Sequence, residues 1–105
     1  MRVPKIEIEL ADARHSLRYD FRALQALEEK FGVPFTEISD KIRAGFKLSD
    51  VKTMLWAGLL HETPDLGLDA VDKMIEGESP MYVVSKITEA MTAATVRTDG
   101  ERKNP

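Results

Sequence analysis

The hydrophobic period of this chain changes once, at Asp20, and that change constrains the fold more than any motif does. From Lys5 to Leu10, the apolar residues Ile6, Ile8 and Leu10 alternate with Glu7 and Glu9, the pattern of a half-buried strand. A second alternation sets His15, Leu17 and Tyr19 against Ser16, Arg18 and Asp20. With Ala11 to Arg14 as the turn, antiparallel pairing places Leu10 opposite His15, Ile8 opposite Leu17 and Ile6 opposite Tyr19. Glu7 then faces Arg18 on the wet side. The expectation is a β-hairpin over residues 5–20.

Beyond Asp20 the apolar residues recur at helical spacing. Phe21, Leu24, Leu27 and Phe31 form a stripe, with Asp20 placed to cap the first turn and Gly32 and Pro34 placed to end a helix over 21–32. Phe35, Ile38 and Ile42 mark a short helix over 35–44 that stops at Gly45. Ser49 and Asp50 open a third helix over 49–62, apolar around more than half its circumference and so assigned to the centre of the bundle. A fourth helix over 68–76 carries Leu68, Val71, Met74 and Ile75 up to Gly77, and a fifth over 80–95 starts at Ser79-Pro80. From about Thr95 the sequence turns polar, so residues 96–105 read as a flexible tail. The fold class is α+β, a hairpin followed by four to five short helices in one globular domain over 1–95, because 105 residues suffice for a single core.

Composition narrows the function mainly by exclusion. The 18 acidic and 15 basic residues are mixed along the chain and leave a net charge of -3, without the basic block that nucleic acid attracts. Cysteine is absent, which removes disulfides, thiol nucleophiles and thiolate metal sites. The start MRVPKIEIEL carries no signal-like apolar run, and Met54 to Leu60 is too short to span a bilayer, so the expected location is cytoplasmic.

Local constellations add no chemistry. The two histidines, His15 beside the hairpin turn and His61 at the end of the third helix, have no metal-ligand spacing, and His61 there suits an interaction with the last helical carbonyls. Asp65, Asp69 and Glu76 have the first, fifth and twelfth positions of a calcium loop, but Gly67 and Ala70 occupy its third and sixth positions, where a ligand and a glycine belong. Glycines form no phosphate loop. A helix-turn-helix over Phe35–Leu60 is the main alternative, yet its second helix begins Ser49-Asp50-Val51-Lys52-Thr53 and contains no arginine. These readings give no catalytic residue, metal or cofactor, and leave protein binding. Methionine packs against irregular partners, and of the five present Met81 and Met91 in the last helix suit an interface better than Met54 or Met74. Trp56, Leu60, Met81, Tyr82 and Met91 are the candidate protein-binding residues.

Two segments carry a family likeness: Phe21-Arg22-Ala23-Leu24 to Leu27-Glu28-Glu29-Lys30-Phe31-Gly32, and Leu55-Trp56-Ala57-Gly58-Leu59 to His61. With the hairpin before them, they make Ile6 to Ile75 resemble the tail assembly chaperones of phages and prophages, in particular the gene-transfer-agent type. The resemblance implies a non-enzymatic factor that coats the long apolar tape measure protein and gives way as tail tube subunits polymerise. It implies tape measure protein and tail tube protein as partners, with self-association as a further possibility, and neither nucleic acid nor membrane. A neck, tail-tube or other small virion protein is the alternative expectation of the same kind, and a small DNA-binding regulator the alternative of another. The matching positions are structural, so the resemblance transfers no site residues.

Overall fold

The computed structural model describes residues 2–45 and 47–102, with side chains as far as Ala94. Strands β1 (Ile6–Leu10) and β2 (Ala13–Leu17) form the expected antiparallel hairpin around a shorter turn. Ala11 and Asp12 both have positive φ, 52° and 63°. Such a pair makes a two-residue turn whose twist matches that of the strands. The register therefore slips two residues from the expected one: Ile6 pairs with Leu17, Glu7 with Ser16, Ile8 with His15 and Leu10 with Ala13. An even slip leaves every side chain on its original face. Ile8, Leu10 and Leu17 are buried, as is Tyr19 just after β2. Ser16 and Arg18, expected on the wet face, are half-buried.

Helix α1 (Phe21–Phe31) has the capping its sequence foretold. Asp20 Oδ1 accepts the Ala23 amide at 3.0 Å, and Gly32 adopts the left-handed φ of 71° and donates its N–H to Glu28 O. The buried line runs along Ala23 and Leu27, leaving Phe21 exposed although it was expected in the stripe. At about 100° per residue, Phe21 lies roughly 120–160° from that line. Helix α2 (Phe35–Ala44) is joined to α1 by Glu28 Oε2, which accepts the Phe35 amide at 2.8 Å and meets one of the unpaired donors at the α2 start.

Helix α3 (Leu48–Leu59) is the centre of the molecule, touching β2, α1, α4 (Leu68–Ile75) and α5 (Pro80–Arg102). Val51, Met54, Leu55, Ala57, Gly58 and Leu59 are all buried along it. Gly58 admits the Tyr19 ring against the helix backbone, and Tyr19 Oη donates to Met54 O at 2.6 Å. Trp56 Nε1 donates to Leu66 O at 2.7 Å and so fastens the α3–α4 connection. Each fully buried aliphatic chain in this core, Leu27, Leu55 and Ile87 among them, contributes about 1.5–3 kcal/mol by leaving water.

Two helix ends differ from expectation. Helix α3 stops three residues early because Leu60 to Glu62 form a hydrogen-bonded turn, with the Glu62 and Thr63 amides donating to Leu59 O. At the other end, α5 continues to Arg102, past the expected boundary at 95. Loss of apolar periodicity removes a packing face, but a helix satisfies its own backbone groups without one. The rest of the expected tail, residues 103–105, lies outside the described residues.

Candidate functional site

A hairpin of two strands has two outer edges, and both are met here by groups from the helical body. On the β2 side, Arg18 N donates to Gly58 O at 3.0 Å and Ser16 N to Glu62 Oε2 at 2.8 Å, while His61 Nε2 lies 2.9 Å from Ser16 O. On the β1 side, Glu9 N donates to Tyr82 Oη and Ala11 N to Glu78 Oε2, each at 2.9 Å. Four side chains and the Gly58 carbonyl thus occupy positions that a neighbouring strand's backbone would take, which protects the sheet against edge-to-edge pairing.

The β2 contacts gather a serine, two histidines and a carboxylate, the residue types of a hydrolase. Ser16 Oγ is 3.1 Å from His61 Nε2 and donates to Glu62 Oε2 at 3.0 Å, and Glu62 Oε1 is 3.1 Å from His15 Nδ1. Nucleophilic catalysis requires an unprotonated nitrogen facing the serine hydroxyl. Ser16 O can only accept, so His61 Nε2 carries its hydrogen and acts as a donor. Burial raises the Glu62 pKa, but hydrogen bonds from His15 and Ser16 and the His15 charge outweigh it and hold the carboxyl below its ordinary range. That makes it a weak base. The Ser16 amide, which could have stabilised an oxyanion, is already given to Glu62. The cluster fixes the hairpin to the helical body. His61 accordingly bonds a strand carbonyl, not the last carbonyls of its own helix. Among the described residues, no group of three or more His, Cys, Asp or Glu is placed to hold a metal ion.

The five residues expected at a protein-binding surface are not brought together as one. Leu60 and Met91 are only 5% and 3% exposed and belong to the core. Trp56 is half-buried, with Lys30 Nζ 5.3 Å from its ring centroid, and Tyr82 is half-buried with its hydroxyl on the β1 edge. Only Met81 stands free, 74% exposed in the first turn of α5. Sequence reasoning missed two comparable residues, Phe21 at 82% and Leu48 at 66% exposure. Both are the first residues of their helices, and that position was the available signal. Phe21 borders a shallow groove of about 210 Å³ with Leu24 and Phe35, and a second depression of about 380 Å³ is lined by Phe31, Val33 and Ala44 beside Glu37, Asp40 and Lys41. Helices α2 and α3 are consecutive, as in a helix-turn-helix, but α3 is enclosed by its neighbours. The first turn of α3 contains Asp50, paired with Lys41 at 3.5 Å, and this is a poor end to offer phosphate.

A family model described as phage tail tube protein, GTA-gp10, matches residues 4–98. The chain belongs to that family. The match extends from the hairpin into α5 and so covers more than the Ile6–Ile75 stretch that carried the sequence resemblance. Membership in the GTA-gp10 family makes this a phage or gene-transfer-agent tail protein of a structural kind, in a family that is not one of enzymes. The family's description names the tail tube, where the sequence resemblance had pointed to an assembly chaperone. No curated protein and no solved structure matches the chain. Among the described residues of this GTA-gp10 family member, no helix is long and apolar enough to cross a membrane.

Proposed function

We propose that the protein acts in tail assembly as a chaperone, holding the tape measure protein, and tail tube subunits as they join it, through apolar residues at the starts of its helices. The observation that carries this reading is the exposure of Phe21, Leu48 and Met81, three large apolar chains presented by three different helices. Scattered single apolar residues are ordinary on a surface, but Phe21 adjoins a groove with Leu24 and Phe35, a shape suited to the apolar face of a partner helix. Of the residues read from sequence, Met81 remains the free contact, with Trp56 and Tyr82 partly available. Closed hairpin edges also support this role, because a subunit that continued its sheet into the next copy would need an open strand edge.

The family description favours a second reading, in which the chain is itself a tail tube subunit. Mass spectrometry of purified finished tails separates the two. A chaperone is absent or present in traces, whereas a tube subunit is recovered in many copies per particle. Co-expression with the tape measure protein supplies the positive test. The chaperone reading expects co-purification and increased solubility of that partner, and fails if neither occurs.

A further inference from the structure

At Ser16 the outer edge of β2 is closed entirely by side chains. Glu62 accepts from the Ser16 amide at 2.8 Å, from its hydroxyl at 3.0 Å and from His15 Nδ1 at 3.1 Å, and His61 Nε2 donates to Ser16 O at 2.9 Å. In an antiparallel sheet, one residue of a neighbouring strand supplies both the donor and the acceptor to the residue opposite. Here His61 and Glu62, adjacent in the chain, supply that pair. The early end of α3 makes this possible: as helical residues they would continue along the α3 axis, whereas the turn after Leu59 carries them to the strand.

We propose that His61 and Glu62 form a charge-dependent clasp, in which the ionised Glu62 carboxylate takes the place of a third strand on the edge of β2 and opens that edge when its charge is lost. This goes beyond the assembly role and does not depend on it. An ionised carboxylate has enough acceptor capacity for all three donors, while the protonated acid becomes a donor itself. His15 is the titratable group acting on Glu62. Of the other charged groups on this side, Arg14 is directed to Glu7 at 3.9 Å, Arg18 Nε has no hydrogen-bond partner, His61 meets Ser16, and the last turn of α3 contains no basic residue. Because the folded-state pKa of Glu62 is lowered, the clasp is fully closed above the ordinary glutamate range and opens as pH falls through that lowered value.

The Ser16 amide proton reports the clasp directly in an NMR titration of the full chain. In the wild type its resonance is expected to move with a midpoint below the usual glutamate range. In E62Q that step disappears, and Ser16 amide exchange at neutral pH is faster by about tenfold, the equivalent of one charged hydrogen bond, while the Leu55 amide in the core is unchanged. A wild-type Ser16 resonance with no acid step, or an E62Q amide exchanging as slowly as wild type, overturns the proposal. Should E62Q fail to fold, the wild-type titration decides it alone.

Discussion

Replacing Gly58 with alanine sets helix propensity against close packing, and the geometry indicates which prevails. A Cβ at Gly58 would lie 2.9 Å from Tyr19 Cζ, 3.0 Å from Tyr19 Oη and 3.0 Å from Leu17 Cδ2. The first distance is shorter than real Cβ contacts allow, so the ring has to move. Tyr19 has nowhere easy to go, being fully buried and anchored through its hydroxyl to Met54 O at 2.6 Å. Gly→Ala inside a helix gains about 1 kcal/mol, overpacking costs about 1–3 kcal/mol, and weakening a buried hydrogen bond costs about 1–2 kcal/mol. The net expectation for G58A is a loss of about 2 kcal/mol, or a fall in Tm of roughly 8–16 °C for a domain of this size. Urea and thermal unfolding of wild type, G58A, Y19F and the double variant measure it. Since Y19F removes one of the two crowded ring atoms together with the hydrogen bond, the double variant should lose less than the sum of the single ones. A G58A protein as stable as wild type, or more so, would refute the reasoning and show that the ring accommodates a methyl group without strain.

Three further outcomes follow from the same contacts. D20A removes the side-chain acceptor for Ala23 N and should lower stability by about 1 kcal/mol in urea unfolding, whereas D20N should keep most of it. Phe21 and Met81 are exposed, so F21S and M81S should each change unfolding free energy by less than about 0.5 kcal/mol. Under the chaperone reading, the two together reduce recovery of tape measure protein in a pull-down, and undiminished recovery would remove them from the interface. The lowered pKa of Glu62 makes its contribution to stability present at neutral pH and lost in acid, so the urea midpoint should fall more steeply below the glutamate range in wild type than in E62Q. Parallel curves would mean that Glu62 has no favoured charge in the folded state.

The helices with the most local signals were the most legible. Asp20 and Gly32 delimit α1 through bonds spanning three or four residues, and α2 occupies the 35–44 range that Phe35, Ile38 and Ile42 mark. The hairpin was legible in existence and facing but not in register. Alternation has a period of two and cannot distinguish slips by two, and Ala11-Asp12 lacks the Asn-Gly signature that would have announced a two-residue turn. Exposure was the least legible property. Leu60 and Met91 look equally apolar in sequence whether they face a partner or the core, and exposure depends on which neighbours cover them.

The sequence by itself determined the order and type of the elements, the centrality of the third helix, and the absence of recognisable motif chemistry, because each follows from spacing within a few residues or from composition. Only the tertiary structure decided that Ser16, His61 and Glu62 would meet, since 45 or 46 residues separate the serine from its partners and no local pattern links them. Likewise it decided that α3 ends at Leu59, a point set by the bonds that the following turn makes with the edge of β2. Local propensity selects a helix or a strand, but where a chain stops and what its side chains hold is settled by the groups that the fold brings within hydrogen-bonding distance.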